Sequence, residues 1–124
     1  QGGSVARAAA EIADFLGGKG LVAFTQSGDT ARRLSRYRAA QPILAFTTDE
    51  STRNQLALSW GVEPHVVPFV NSTDEMVELV DQEMVKLSRF NDGDIVVITA
   101  GSPPGVPGTT NMVRVHHLGE SRRA

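Results

Sequence analysis

Short apolar runs alternate with stretches of helical periodicity along most of this chain. Runs of strand character begin at Leu21, Ile43, Val62 and Ile95, and amphipathic stretches separate them. Strands that alternate with helices predict a mostly parallel sheet covered by helices on both faces. At 124 residues the chain is long enough for one such domain with its own core. We therefore predict a single three-layer α/β domain over residues 1–124.

Capping residues and apolar periodicity place the individual elements. A first helix, capped by Ser4 and ended by Gly17 and Gly18, is expected to bury one apolar face. That face comprises Val5, Ala8, Ala9, Ile12, Phe15 and Leu16. A second helix is predicted for a basic segment that carries Ala31, Leu34 and Tyr37, and a third for residues 49–60. A fourth helix is expected to begin at the capping residues Ser72 and Glu75. Its apolar face comprises Val77, Val80, Met84 and Leu87. Strands are predicted at 21–24, 43–47, 62–69, 95–99 and 112–118.

The connection between the last two strands fixes the topology. It holds about ten residues and no helix, so these strands should pair antiparallel, because a parallel return needs a longer crossover. The strand order 3-2-1-4-5 places strands 1 and 4 side by side. Open α/β sheets bind ligands where the winding direction reverses, at the carboxyl ends of the strands. The loops 25–30 and 100–110 are therefore expected to converge.

The first of these loops, Thr25-Gln-Ser-Gly-Asp-Thr30, joins a strand to a helix N-terminus. Unpaired amides and the positive end of the helix dipole make this position a natural anion site. Gly28 permits close approach, and the hydroxyls of Thr25, Ser27 and Thr30 can surround a phosphate. The alternative is an ordinary turn in which Ser27 or Thr30 caps the helix.

The second loop is rich in glycine and proline. Its glycines expose amides, its prolines stiffen it and its hydroxyls add donors, so it can approach a phosphate closely without lysine. The alternative is a rigid connection that only turns the chain. The candidate donors are Gly101, Ser102, Gly105, Gly108, Thr109 and Thr110.

Asp29 is awkward in an anion site because a carboxylate repels phosphate. We expect it to pair with Arg32 or Arg33, one turn on, or to accept a hydrogen bond from a sugar hydroxyl. Together with Arg36 and Arg38, these two arginines are interpreted mainly as a solvated helix face. A phosphate or subunit contact is the alternative.

The composition argues against several classes of function. The absence of cysteine removes disulfides, thiolate nucleophiles and cysteine–zinc sites, and it is typical of a reducing compartment. A net charge of −2 leaves no basic surface for nucleic acid, and no apolar run approaches the roughly 20 residues that span a bilayer. We expect a cytoplasmic protein without nucleic-acid or membrane partners. The start, Gln1-Gly-Gly-Ser4, has neither methionine nor signal peptide, and we interpret it as a cut end of a longer chain.

No catalytic or metal-binding set emerges from the sequence. The P-loop and G-x-G-x-x-G patterns are absent, as is a G-x-S-x-G nucleophile elbow. His116 and His117 are adjacent on a predicted strand, so their side chains point to opposite faces and cannot easily hold one ion. We therefore assign no catalytic residue and no metal ligand.

Five segments, in order and with sensible spacing, resemble the C-terminal domain of pyruvate kinase, most closely its bacterial branch. They are Phe24-Thr-Gln-Ser-Gly-Asp-Thr30, Leu56-Ala-Leu-Ser-Trp-Gly-Val62, Ser72-Thr-Asp-Glu-Met76, Gly93-Asp-Ile-Val-Val-Ile-Thr-Ala-Gly101 and Pro107-Gly-Thr-Thr-Asn111. The resemblance implies an α/β unit with a five-stranded sheet whose last strand is antiparallel. It also implies a regulatory domain that binds a phosphate-bearing effector and contributes to a tetramer.

The resemblance also implies an effector site in the first loop, closed over by the second. The phosphate-binding residues would be Thr25, Gln26, Ser27, Gly28 and Thr30. Relatives that bind fructose 1,6-bisphosphate use a tryptophan and an arginine from an extra loop segment, and this chain has no counterpart. Its single tryptophan, Trp60, is expected in the core. Since Asp29 stands where such relatives often carry a cation, the resemblance favours AMP or a sugar monophosphate.

The family's enzyme transfers phosphoryl between phosphoenolpyruvate and ADP, using K⁺ and Mg²⁺ or Mn²⁺ held by a separate barrel domain. None of that barrel is in this sequence, so this piece is expected to need no cofactor and to be catalytically silent alone. Strand 5, an open edge, is a candidate subunit contact whose removal should lower the association state. The alternatives are a stand-alone ligand-binding module, a small phosphoryl-handling enzyme, and a purely structural assembly domain.

Overall fold

The computed structural model describes residues 2–100 and 112–120, with side chains from Val5 onward. The helices are α1 (Gly2–Leu16), α2 (Asp29–Arg36), α3 (Glu50–Leu56) and α4 (Thr73–Lys86). The strands are β1 (Gly20–Phe24), β2 (Ile43–Thr47), β3 (Val62–Val66), β4 (Ile95–Ala100) and β5 (Met112–His117). This order of elements confirms the predicted alternation.

The five strands form one sheet in the predicted order β3-β2-β1-β4-β5. β1 to β4 pair in parallel and β5 is antiparallel to β4. Because the winding reverses between β1 and β4, their carboxyl ends meet at the switch point of the sheet. The register pairs Ala23 with Thr99, so the chain leaves both strands at nearly the same level.

Helices cover both faces of the sheet, which gives the predicted three layers. Since side chains alternate along each strand, the central strands β1, β2 and β4 contribute to both cores. One face packs against α4 through Val22, Phe24, Leu44, Phe46, Val96, Ile98, Met76, Val77, Val80 and Met84. The other face packs against α1, α2 and α3 through Leu21, Ala23, Ile43, Ala45, Val97, Ala31, Leu34 and Leu56.

The predicted start of α4 is observed with one difference. Ser72 Oγ accepts a hydrogen bond from Glu75 N at 3.2 Å, as the capping pattern predicts. The glutamate reaches back to Asn71 N at 2.9 Å, one residue before the expected amide. Two of the exposed donors at this end of the helix are therefore paired.

The buried face of α1 differs from the prediction. Ala6, Ala9 and Ala13 are fully buried, whereas Phe15 is 88% exposed. The helix begins at Gly2, so the prediction that Ser4 is its N-cap is wrong. Because α1 packs on both β4 and α2, only small side chains fit between the backbones, and the larger apolar groups are displaced outwards.

The chain between α3 and β3 also departs from the prediction. α3 ends at Leu56, four residues early, and a turn carries Trp60 to the surface, where it is 51% exposed. Trp60 is therefore not a core residue. The Arg38 guanidinium carbon lies 4.5 Å from its ring centroid, and Ser35 Oγ donates to its carbonyl at 2.6 Å. These contacts hold the tryptophan against α2 without burying it.

β3 is an edge strand, as its prolines predicted, although it ends at Val66. On it, Glu63 accepts two bonds from Arg89 Nη2, at 2.7 and 2.8 Å, and lies 2.8 Å from His65 Nε2. Burial alone would raise the pKa of the Glu63 carboxyl, but the bonds from Arg89 and His65 outweigh it and hold the pKa below its ordinary value.

Replacing Glu63 by glutamine should lower the free energy of unfolding at pH 7 by less than about 1 kcal/mol, because the site is partly solvated. A depressed folded-state pKa stabilises the fold above the unfolded value, and this contribution is lost as pH falls through the folded value. Urea unfolding at pH 7 and pH 3 should therefore show the difference shrinking at the lower pH. Glu78→Gln, on an exposed face of α4, is the control. A difference that stays constant with pH would contradict the assignment.

Candidate functional site

The first loop, residues 25–30, lies at the carboxyl edge of the sheet and is closed by its own hydroxyls. Gly28 N donates to Thr25 Oγ1 at 2.9 Å, and Asp29 N donates to Ser27 Oγ at 3.2 Å. Both oxygens act as acceptors in these bonds, so each hydroxyl keeps a hydrogen that it can donate to a ligand. The loop backbone thus orients two of the predicted phosphate donors.

Gly28 is the N-cap of α2, in the left-handed conformation with φ +89°. Gly28 itself makes no side-chain cap hydrogen bond, and neither Ser27 nor Thr30 occupies the N-cap position of the alternative reading. Ser27 Oγ nevertheless accepts from the amide of Asp29, the first residue of α2, so this hydroxyl satisfies one amide at the helix start. Glycine adopts this backbone without strain, and few other residues do. A Cβ at this position would also lie 3.1 Å from three atoms of the Arg32 guanidinium.

Arg32 lies across the first loop instead of pointing into solvent. Its Nη1 donates to the Ser27 carbonyl at 2.9 Å and lies 3.4 Å from Asp29 Oδ1. Its Nη2 donates to Gln55 Oε1 of α3 at 3.1 Å. The expected pairing of Asp29 with an arginine one turn on is confirmed, and Arg32 is the partner.

The neighbouring turn, between β2 and α3, braces the first loop. Gln26 Oε1 accepts from Thr48 Oγ1 at 2.7 Å, and its carbonyl accepts from Thr52 Oγ1 at 2.8 Å. Asp49 is the N-cap of α3 as predicted, and its Oδ2 also lies 2.8 Å from Thr52 Oγ1. The one hydroxyl hydrogen of Thr52 is therefore shared between Asp49 and the Gln26 carbonyl. Sequence reasoning missed Thr48, Thr52 and Gln55 as supports. The one available signal was the strand order, which places the two turns side by side.

The five predicted phosphate-binding residues therefore lie in one turn, but they differ in exposure. Ser27 is exposed and Gln26 half-buried, whereas Thr25 and Thr30 are 9% and 2% exposed. Gly28 is buried beneath the Arg32 side chain. A ligand that reaches the loop amides must therefore displace or recruit that guanidinium.

The second predicted loop lies outside the described residues, and with it Gly101, Ser102, Gly105, Gly108, Thr109 and Thr110. Its point of departure is described. β4 ends at Ala100, beside the end of β1, which agrees with the predicted convergence at that edge. Thr99 is fully buried there, and its hydroxyl has no hydrogen-bond partner among the described residues.

His116 and His117 lie on opposite faces of β5, as predicted, since His116 is buried and His117 is exposed. His116 Nε2 lies 2.7 Å from Asp81 Oδ2 of α4, a pair that sequence reasoning did not anticipate. Within residues 2–100 and 112–120, no three His, Cys, Asp or Glu side chains are grouped to hold a metal ion. In the same ranges, no helix is both long and apolar enough to cross a membrane.

Comparison with known families shows which family has this fold and first loop. The family model described as the pyruvate kinase alpha/beta domain matches residues 3–116. The chain belongs to this family. The resemblance to the pyruvate kinase C-terminal domain is thereby confirmed, and the similar proteins described below include bacterial members.

Several pyruvate kinases are similar to this alpha/beta domain. That of Mycobacterium tuberculosis is 50% identical over 118 residues, which cover 95% of this chain and 25% of the relative. That of Corynebacterium glutamicum is 46% identical over 121 residues, covering 98% and 26%. A crystal structure of a pyruvate kinase from Cryptosporidium parvum matches with a TM-score of 0.83 at 22% identity, over 94% of this chain and 22% of that one. This structural likeness shows the fold, and the chain spans about a quarter of the length of these curated relatives.

Proposed function

We propose that this alpha/beta domain binds a phosphate-bearing effector at its first loop and regulates a longer pyruvate kinase. The observation that carries the proposal is the turn itself, in which Thr25 and Ser27 hold hydroxyls at the N-terminus of α2 beside a braced backbone. An oriented hydroxyl pair at the positive end of a helix suits an anion. The site would be completed by the second loop, which starts at the end of β4.

The longer protein would be a pyruvate kinase, which is the name that the relatives carry. By the family resemblance it would transfer phosphoryl between phosphoenolpyruvate and ADP, and we expect it in the cytoplasm. The Mg²⁺ or Mn²⁺ and the K⁺ of that reaction would be held outside this chain. This domain would then act by binding alone. Its ligand would favour one state of the assembly through a difference in affinity between two states.

AMP or a sugar monophosphate is the effector class that we favour. One cationic side chain, that of Arg32, lies on the first loop, and Asp29 beside it disfavours a second dense anionic group. A single phosphate can be shared between the loop hydroxyls and one guanidinium. Two phosphates would need a second cationic site, and the sequence offers no counterpart of the tryptophan and arginine of bisphosphate-binding relatives.

Calorimetric titration tests this proposal directly. Glucose 6-phosphate or AMP should bind the 124-residue chain, and Ser27→Ala combined with Thr30→Ala should weaken binding by about tenfold or more, since each hydroxyl bond to an anion contributes about 1 kcal/mol. Ser51→Ala, an exposed serine in α3, is the matched control. Heat from fructose 1,6-bisphosphate alone would count against a monophosphate effector. No heat from any phosphorylated ligand would count against effector binding altogether and favour a purely structural domain.

A second role, in assembly, is favoured by the open edge of β5. This strand pairs only with β4, so its other edge has no partner strand within the described sheet. Val115→Lys should lower the association state at a given protein concentration, because a charge on an edge strand opposes pairing. Sedimentation equilibrium of the longer protein would measure this, with Val85→Lys on exposed α4 as the control. An unchanged association state would exclude the β5 edge as the contact.

A further inference from the structure

We infer that Arg32 is the residue that recognises the effector phosphate. In the absence of ligand, Asp29 and Gln55 hold the Arg32 guanidinium over the first loop. This inference rests on the proposed function and deepens it. The hydroxyls of the loop carry no positive charge, and the Arg32 side chain, which already contacts the loop, supplies it. The ligand chemistry that follows is a terminal phosphomonoester, whose oxygens match the planar fork of a guanidinium.

The contact with Gly28 shows how closely the guanidinium approaches the loop. The Cζ, Nη1 and Nη2 atoms of Arg32 all lie 3.1 Å from the position that a Cβ on Gly28 would occupy. Because one point is equally distant from these three atoms, the face of the guanidinium covers the space that a Gly28 side chain would occupy. A Cβ on residue 28 would push the guanidinium away by a few tenths of an ångström, and the positive φ at this position also favours glycine. Gly28 therefore permits the close approach of Arg32 to the loop.

Some N–H donors of the Arg32 guanidinium have no acceptor among the described residues. The guanidinium carries five N–H groups. Within residues 2–100 and 112–120, its partners are the Ser27 carbonyl, Asp29 and Gln55, and they engage Nη1 and Nη2 only. The Nε hydrogen and a second hydrogen on Nη2 are therefore open to a ligand oxygen.

The contacts that hold Arg32 in place are weaker than those that a phosphate would offer. The Asp29 carboxylate is 66% exposed and lies 3.4 Å away, a pair worth at most about 1 kcal/mol. Gln55 is a neutral acceptor. Charge-assisted bidentate bonds to phosphate are roughly twice as strong as neutral bonds. Exchange of Asp29 and Gln55 for a phosphate is therefore favourable, and it removes the link from α2 to α3.

The other arginines of α2 do not share this position. In the described part of the chain, the side chains of Arg33 and Arg36 make no hydrogen bond or ion pair with the first loop, whereas that of Arg32 does. Arg36 is exposed at the far end of the helix. It therefore provides a control that removes the same charge from the same helix without altering the loop.

The test is a titration of the 124-residue chain with glucose 6-phosphate, with AMP and inorganic phosphate as further probes and glucose as the uncharged control. Arg32→Gln should weaken binding by about tenfold or more, and Arg36→Gln by less than about threefold, because a distant exposed charge acts weakly. Asp29→Asn should tighten binding by about threefold, since it removes both a repulsive charge and a competitor for the guanidinium. Arg32→Lys, which keeps the charge but not the fork, should fall between wild type and Arg32→Gln.

Thermal unfolding of each variant separates ligand recognition from loss of folding. If Arg32→Gln is unfolded, Arg32→Lys and Asp29→Asn still decide the matter, because they predict changes in opposite directions. Binding by wild type with equal affinities for Arg32→Gln and Arg36→Gln would overturn this inference while leaving the proposed function intact. No binding of any phosphorylated probe by wild type would overturn both.

Discussion

Replacing Asp81 by alanine is expected to lower the free energy of unfolding by about 3–5 kcal/mol, the cost of removing one partner from a buried, hydrogen-bonded Asp–His pair. Asp81 on α4 is fully buried, and its Oδ2 lies 2.7 Å from Nε2 of the equally buried His116. Its carboxylate also accepts from Gly119 N at 3.1 and 3.2 Å. Alanine would leave the imidazole and this amide without those acceptors in a closed environment.

Three variants make the Asp81 prediction specific. Glu83→Ala removes a carboxylate from the same helix, but its partner Lys86 is largely exposed, so the cost should stay below about 1 kcal/mol. Asp81→Asn keeps the volume and one acceptor, so it should cost less than alanine. Asp81→Leu combined with His116→Leu should be more stable than Asp81→Leu alone, because it removes the buried imidazole that would otherwise lack its partner, while the Gly119 amide loses the same acceptor in both.

Urea unfolding followed by circular dichroism measures all of these differences. Changes in midpoint at constant slope report stability, whereas a changed slope would indicate altered compactness. A loss below about 1 kcal/mol for Asp81→Ala would contradict the buried pair, since it is the size expected of a solvated contact.

The pair also bears on how β5 is held. Within the described sheet, β5 has one strand neighbour, β4, and His116 joins its inner face to α4 across the core. The second ring nitrogen of His116 lies 3.5 Å from Glu120 Oε1, beyond the end of the strand. Loss of the pair should therefore loosen β5 first, and hydrogen exchange of its amides would rise before that of β1 or β2.

The sheet order could be predicted because the information is local. Each apolar run, the absence of a helix between the last two strands, and the prolines of β3 are visible in short stretches of sequence, and each restricts the topology. The capping residues Asp49 and Ser72 are equally local, and both were identified. Strong local signals and short connections account for this agreement.

The wrong predictions concern which side chains are buried, because burial depends on the distance between neighbouring elements. Helical periodicity selects a face by hydrophobicity, so it included Phe15 and Leu16 in the buried face of α1. The true face is set by the close approach of α1 to β4 and α2, which admits alanine and excludes larger groups. The prediction that Trp60 lies in the core was wrong for a related reason, because α3 ends early and the turn that follows places Trp60 at the surface.

The candidate site was predictable in part. The turn after β1 has a sequence signature, and its closure by Thr25 and Ser27 follows from hydroxyls near free amides. The position of Arg32 over Gly28 depends on a contact with Gln55, 23 residues further on, and the pairing of His116 with Asp81 spans 35 residues. Such distances are fixed by packing, which one sequence does not specify. That these residues hold a phosphate stays a prediction.

Replacing Phe46 by alanine should cost about 3–5 kcal/mol, comparable to the loss of Asp81. Phe46 is fully buried on β2, and its ring packs edge-on against Phe24 and His65, with centroids 5.9 and 5.7 Å apart. Truncation removes most of its buried surface and both ring contacts, and the rigid sheet around it cannot close the cavity.

Phe46 also links this core to the candidate site, because its carbonyl accepts from Thr25 N at 2.9 Å, where the first loop begins. Phe46→Leu should cost less, about 1–2 kcal/mol, and should leave glucose 6-phosphate binding nearly unchanged if the backbone stays in place. Phe15→Ala, an exposed phenylalanine, should change stability by less than about 0.5 kcal/mol. Urea unfolding measures the three costs, and a loss for Phe46→Ala no larger than that for Phe15→Ala would contradict the packing described. If Phe46→Leu folds normally but loses phosphate binding, the loop depends on the shape of the core beneath it as well as on its own hydroxyls.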